Sequence, residues 1–264
     1  MTNTPTLFFE VDDIIDELKI FIKKDISFDV VTIVGEGEPT LYAGLKSLIM
    51  KIKALVDQPV AVITNGGLLY LTEVQQALTA ADIVLPTFDA YDNASFKKIN
   101  RPIGHLDFDM VYQGLINFSR KYHGELWLEM MFVKGLNDGD KDIKEFQKKL
   151  QAIVYKRLYL NTPVRPPAEV FVESITKTRM REIAKQLNGV NIDLLVSDGF
   201  YSEISNHIEA IKSIIKRHPM NQFEIRSFLN KRDCNNIDDT LEKLSSDDDV
   251  EIIQYKKYQT YRLK

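Results

Sequence analysis

Polar residues close a succession of short apolar, β-branched runs in this 264-residue chain, and their types suit the binding of a small charged molecule. Residues 28–34 run into Gly35-Glu36-Gly37-Glu38, where glycines permit close backbone approach to a ligand and Glu38 offers a carboxylate to a cation such as an ammonium group. Residues 60–64 end in Thr64-Asn65-Gly66, and the next run ends in Asp89. Glu129 sits within 126–133, and Asn161 closes 157–161. Each alone reads equally well as a loop, a turn or a solvated strand position. Five successive ends gathered along one edge of a sheet would make a site.

Several other chemistries are excluded by spacing. Gly35-x-Gly37 lacks the third glycine of a dinucleotide fingerprint, and no Gly-Lys-Ser/Thr phosphate loop exists. No serine stands in a nucleophile elbow. The four histidines, at 105, 123, 207 and 218, show no zinc spacing, and the single cysteine, Cys234, reads as an inert thiol unable to form an intrachain disulfide. No catalytic residue and no metal ligand is assigned from spacing.

The elements that must position these residues alternate regularly. Helical spacing of apolar residues over 12–24 precedes the strand 28–34; helix 45–55 leads to strand 60–64, and helix 71–78 to strand 82–89, where Pro86 implies a bulge or an end. Helix 111–118 then leads to strand 126–133, helix 143–150 to strand 157–161, helix 178–187 to a short strand at 192–196, and a helix covers 202–216. Repeated βα units with short connections predict a parallel sheet, doubly wound or curled into a barrel, with its ligand at the carboxyl ends of the strands. Gly and Pro number only 12 and 9 and hydrophobic residues reach 44%, which excludes collagen-like and disordered classes.

After Arg217 the pattern changes: two short helical segments, around 223–229 and 237–244, precede a hairpin with Lys256-Lys257 at its tip. The expected division is therefore an α/β domain over 1–217 and a small winged-helix-like domain over 218–264. Asp238, Asp239 and Glu242 against Lys243 on the second of those helices would repel phosphates, so DNA is not an expected partner. A net charge of −4 gives no general attraction to nucleic acid or an anionic membrane, and the absence of any apolar run of transmembrane length makes a cytoplasmic location the expectation.

Six segments in order resemble the radical SAM superfamily, and within it the iron-sulfur oxidoreductases related to 4-demethylwyosine synthases. They are Gly35-Glu-Gly-Glu-Pro-Thr-Leu41, Val60-Ala-Val-Ile-Thr-Asn-Gly66, Leu85-Pro-Thr-Phe-Asp-Ala90, Phe96-Lys-Lys-Ile-Asn-Arg-Pro102, Leu128-Glu-Met-Met-Phe-Val-Lys-Gly-Leu-Asn-Asp138 and Leu160-Asn-Thr-Pro-Val-Arg-Pro-Pro167. The resemblance implies a partial (β/α)6, TIM-like barrel that binds S-adenosylmethionine (SAM) at its strand ends. It assigns Gly35, Gly37, Glu38 and Pro39 to the motif that holds the methionine amino group. Thr64 and Asn65 become contacts at the next strand end, Asp89 a neighbour of the ribose or methionine moiety, and Glu129 and Asn161 residues that close the pocket. Asn100, Arg101 and Arg165 are candidates for an anionic substrate or the SAM carboxylate, since guanidinium forks suit such groups. Glu36 stands where these relatives carry a small or neutral residue.

The same resemblance implies a [4Fe-4S] cluster on three cysteines spaced C-x3-C-x2-C after the first barrel strand. This chain has no cysteine before Cys234, so it lacks ligands for the cluster, and its opening residues read as a linker and a helix, leaving out the first strand. Strand 28–34 is then expected to have an unpaired, aggregation-prone edge. Three readings follow. Either the chain is incomplete, and the complete protein cleaves SAM to a 5′-deoxyadenosyl radical, or it is a degenerate, non-catalytic SAM-binding, scaffold or regulatory protein whose strand 28–34 a partner chain covers. An unrelated barrel is the third. Both a small anionic substrate and RNA stay open, and Trp127, Tyr155 and Tyr159 are read as packing rather than as base-stacking platforms.

Overall fold

A computed structural model of the chain describes residues 4–24, 27–35, 37–163, 166, 167, 169, 171–192, 200, 202–216, 218–255 and 258–264. These fall into two compact units, Met1–Thr162 with Glu173–Ile192, and Pro163–Val172 with Asp193–Lys264.

The first unit is built on six strands: β1 (Val31–Ile33), β2 (Val60–Thr64), β3 (Ile83–Pro86), β4 (Glu125–Met131), β5 (Arg157–Asn161) and β6 (Val190–Asn191). Every neighbouring pair is parallel, so each connection is a crossover, and helices supply them. After α1 (Val11–Ile22), α2 (Leu45–Lys53) joins β1 to β2 and α3 (Thr72–Leu78) joins β2 to β3. Two helices, α4 (Asn93–Ile99) and α5 (Phe108–Lys121), lead to β4, and α6 (Asp140–Leu150) and α7 (Lys177–Leu187) complete the series. The spatial order of the strands is their chain order, β1 to β6. A doubly wound sheet would reverse at a switch point, and this one does not.

Strand alternation separates the two faces of this sheet. Leu126, Leu128 and Met130 of β4 and Leu158 and Leu160 of β5 are buried in the same core as Leu45, Leu48, Ile49 and Ile52, the apolar stripe of α2. Trp127, Glu129, Tyr159 and Asn161 alternate with them and are only half-buried on the opposite face. Val30, Thr32 and Val34 around β1 share one parity and are all exposed. Among the described residues β1 pairs with β2 alone, so the edge expected at 28–34 is present.

β2 and β5 match the expected 60–64 and 157–161, whereas β1 and β3 are shorter than their apolar runs. β1 covers 31–33 and β3 stops at Pro86, which lacks the N–H to extend the ladder. The final strand lies at Val190–Asn191 rather than 192–196, of which 193–196 fall outside the described residues. Helix α4 has no counterpart among the helices read from apolar spacing. Its local signal is a capping box, with the Asp92 carboxylate accepting from Ser95 N and Ser95 Oγ turned back to the Asp92 N–H.

The second unit contains α8 (His207–Ile215), β7 (Met220–Asn221), α9 (Gln222–Asn230), α10 (Ile237–Ser245), β8 (Val250–Tyr255) and β9 (Tyr258–Leu263). Its three strands are antiparallel in the order β7-β9-β8. Ala210, Ile211 and Ile215 of α8 are buried with Met220, Ile225, Phe228, Leu229, Leu244 and Tyr261. The helix expected to end the first domain at 217 thus belongs to the second core, because amphipathic spacing shows that a helix buries one face and not which core it meets. Lys256 and Lys257 lie outside the described residues. No helix among the described residues is long and apolar enough to cross a membrane.

Candidate functional site

Glu38 precedes a single turn of 3-10 helix, Pro39–Leu41, whose first position Pro39 occupies at no cost in backbone donors. Its Oε1 accepts from Thr40 N at 3.0 Å, Thr40 Oγ1 at 2.7 Å and Thr64 Oγ1 at 2.5 Å, and its Oε2 from Asn65 N at 2.7 Å. One carboxylate therefore ties the loop after β1 to the end of β2, and Oε2, with a single donor, keeps capacity for another. The buried Thr64 also accepts from Gly66 N, and Asn65 Oδ1 accepts from Gly67 N. The Asn65 oxygen is thus used within its own turn, which Gly66 closes at φ +72°, a conformation suited to glycine. A side-chain carbon at Gly37 would meet nothing within 4 Å, so space is open beside that loop. Glu36 is outside the described residues.

On the next three strands, β3 to β5, the polar residues are deeper. Asp89, 6% exposed, lies just beyond β3, and its Oδ1 accepts from Met131 N of β4 at 2.7 Å. In return Phe88 N donates to the Glu129 carbonyl, so the end of β3 and the middle of β4 are cross-tied. Asn161 Nδ2 donates to Glu129 Oε1 at 2.5 Å, while Asn161 Oδ1 is buried without a hydrogen-bond partner. Burial pushes the Asp89 carboxyl up to about 7; the Met131 N–H opposes this and the Glu129 charge adds to it. Burial raises Glu129 as well, against the Asn161 amide. No Lys, Arg or His among the described residues forms an ion pair with either carboxyl.

Asn100, at the carboxyl end of α4, also has a buried Oδ1 without a partner. It lines a small cavity, with about 20 Å³ of free space, together with Asn65, Thr87, Asp89 and Tyr112. That is room for roughly one water molecule. Arg101 follows in the left-handed region at φ 49°, exposed. Arg165 lies outside the described residues. The structure thus joins Glu38, Thr64 and Asn65 in one network and Asp89, Glu129 and Asn161 in a second, with Asn65, Asp89 and Asn100 around a common cavity.

Two supporting residues carried no signal in spacing. Asn137 is 1% exposed; its Nδ2 donates to the Asp89 and Met131 carbonyls and its Oδ1 accepts from Val133 N. It fixes the backbone on both sides of the Asp89 carboxyl, yet Asn137-Asp138-Gly139 reads as an ordinary turn. Tyr91, whose hydroxyl donates to Asp142 Oδ1, is held well above its usual range by that bond and then by burial.

Among the described residues no group of three His, Cys, Asp or Glu is placed to hold a metal ion. Cys234, the single cysteine, lies in the second unit with its Sγ 3.7 Å from Thr240 Oγ1.

Comparison with known proteins agrees with an α/β fold built on a parallel sheet. A GTPase Obg from Brachyspira hyodysenteriae is 38% identical over 178 residues, 67% of this chain and 26% of that protein. A UPF0026 protein from Methanocaldococcus jannaschii is 32% identical over 236 residues, 85% of this chain and 72% of its relative. The chain therefore spans about a quarter of the first relative and nearly three quarters of the second. Among solved structures, a radical SAM methyltransferase from Sphaerobacter thermophilus superposes with a TM-score of 0.51 at 14% identity, over 69% of this chain and 55% of that one, a likeness of fold. The sequence model of the radical SAM superfamily matches residues 3–147, more than half of the chain, and on this match the chain belongs to the radical SAM superfamily.

Proposed function

We propose that the first unit is a partial (β/α)6 barrel that binds S-adenosylmethionine at the carboxyl ends of β1–β5. The observation that carries this reading is a run of buried acceptors past the ends of β3–β5: Asp89 and Asn100 line one small cavity, Glu129 is bonded to Asn161, and the Asn100 and Asn161 oxygens are buried and unpartnered, with no ion-paired cation on either carboxyl among the described residues. SAM brings a sulfonium and an ammonium group, the charges such a set lacks, and Glu38 Oε2 has room for one further N–H donor. Glu38, Pro39, Thr64 and Asn65 would hold the methionine end, and Asp89, Glu129 and Asn161 the remainder. Asn100 and Arg101, at the carboxyl end of α4, would meet an anionic substrate or the SAM carboxylate.

The [4Fe-4S] cluster that the superfamily implies does not fit these residues, since residues 1–233 contain no cysteine. Its thiolates would have to come from polypeptide outside this sequence, and with them a strand to pair with the open edge of β1. In that assembly the chain is the SAM-holding part of an enzyme; without it, the chain is a SAM-binding scaffold. The likeness to 4-demethylwyosine synthases belongs to the same reading. The second unit, with its helix, strand, helix, helix and hairpin order, we read as winged-helix-like and as a protein-docking module, because α10 presents Asp238, Asp239 and Glu242.

Calorimetric titration of SAM into the 264-residue chain, beside Glu38→Ala, tests the reading. Saturable one-to-one binding is expected, weakened roughly tenfold or more in the variant, about the effect of one charge-assisted contact with its supporting network. No heat of binding to a chain that is folded by circular dichroism would refute it, as would equal affinity in both proteins.

A further inference from the structure

We propose that the small cavity beside Asn100 holds one ordered water molecule, and that this water joins the Glu38 network to the Asp89 network. Its occupancy does not depend on SAM. The free space, about 20 Å³, takes one water and no larger group, and neither Glu129 nor Asn161 lines it. Being neutral, the water leaves the charge of the site as it was.

Part of the cavity is apolar: Phe96 of α4 and Phe108, Val111 and Leu115 of α5 supply it. The remainder carries two acceptors and a donor. Asn100 Oδ1 is buried without a hydrogen-bond partner. Asp89 Oδ1 accepts from Met131 N, and among the described residues no donor reaches Asp89 Oδ2. Asn65 spends its Oδ1 on Gly67 N, while its amide hydrogens meet no acceptor among the described residues. The Tyr112 hydroxyl is already committed to the Lys149 carbonyl.

A wholly apolar space of this size stays dry, but an internal water needs only two to four polar partners, and these are present. The water donates to Asn100 Oδ1 and to Asp89 Oδ2, and its oxygen accepts from Asn65 Nδ2. Turning the Asn100 amide over would bury two N–H donors in place of one acceptor and leave the same need for a partner.

The consequence is a continuous path. Glu38 Oε2 accepts from Asn65 N, the Asn65 side chain meets the water, the water meets Asp89, and Asp89 accepts from Met131 N of β4. A branch reaches Asn100 at the carboxyl end of α4. Among the described residues the two networks share no side-chain hydrogen bond, so the water is what links the loop after β1 to the end of β4 through side chains.

A high-resolution crystal structure of the 264-residue chain tests this, together with water-oxygen relaxation dispersion, which counts long-lived internal waters in solution. A density peak at hydrogen-bond distance from Asn100 Oδ1, Asp89 Oδ2 and Asn65 Nδ2 is expected. Asn100→Leu, apolar and close in size, is expected to lose about one long-lived water relative to wild type. Asn65→Ala, at an exposed position, removes one partner and is expected to shorten the residence time of that water. No peak at this place in a structure that shows other internal waters overturns the proposal, as does a direct Asn100–Asp89 hydrogen bond or a peak at metal-ion distances. So does an unchanged water count in Asn100→Leu, or an unchanged residence time in Asn65→Ala. The wild-type crystal structure decides the matter even if a variant fails to fold, and neither measurement requires SAM to bind.

Discussion

Between β1 and β2 the Glu38 carboxylate receives four donors, all from its own chain, while between β3 and β5 Asp89 and Glu129 receive one side-chain or backbone donor each in a more deeply buried setting. The first network is close to complete as it stands and braces a loop. The second leaves the Asn161 oxygen unpartnered, and burial holds the Asp89 carboxyl above its ordinary range. Similar side chains at neighbouring strand ends thus differ in how fully their own chain satisfies them.

The contrast is sharpest in its dependence on pH. Because the folded-state pKa of Asp89 is raised to about 7, the native chain binds more protons than the unfolded chain between about pH 4 and 7, and stability falls as pH rises through that window. Asp89→Asn should remove this term. We expect the variant to be more stable than wild type by about 4 kcal/mol at pH 8 and nearly equal at pH 4, as measured by urea denaturation at both values. A wild-type stability that stays level from pH 5 to pH 8 would contradict the buried, proton-holding Asp89.

Asn137→Ala attacks the frame of the second network. It strands two carbonyls and one N–H around Asp89 and should cost about 2–3 kcal/mol, with the loss visible in the same denaturation experiment. Thr64→Val, nearly the same size, removes one of four donors from Glu38 and an acceptor from Gly66 N, and should cost about 1 kcal/mol. If Thr64→Val proved as damaging as Asn137→Ala, the first network could not be called the more redundant of the two.

The alternation of strand and helix was legible from residues such as Leu45, Leu48, Ile49 and Ile52, and Leu126, Leu128 and Met130, because burial on one face leaves a period in the sequence. Glu38, Thr64, Asp89, Glu129 and Asn161 could be selected for the same reason, standing at or near the ends of those periods. What spacing could not reveal was which polar atoms are already used. The Asn65 oxygen is consumed by Gly67 N two residues on, whereas the Asn161 oxygen has no partner, and the two look alike in sequence. Asn137 was missed because a buried amide bonded to three backbone groups has the same neighbours in sequence as a surface turn. The place of α8 in the second core was equally silent, since its partners Met220, Leu229 and Tyr261 come later in the chain.

Strand order that follows chain order also bears on how the sheet is made. Each of β2 to β6 docks on the strand before it, so ribosomal synthesis delivers every strand to an edge already laid down, and no strand must be inserted between two others. Closure of each βα step spans a short stretch of chain, which keeps its entropic cost small. By the same logic, growth at the β1 edge would require no register to be broken, so a further βα unit could dock there while the five existing strand pairs keep their alignment.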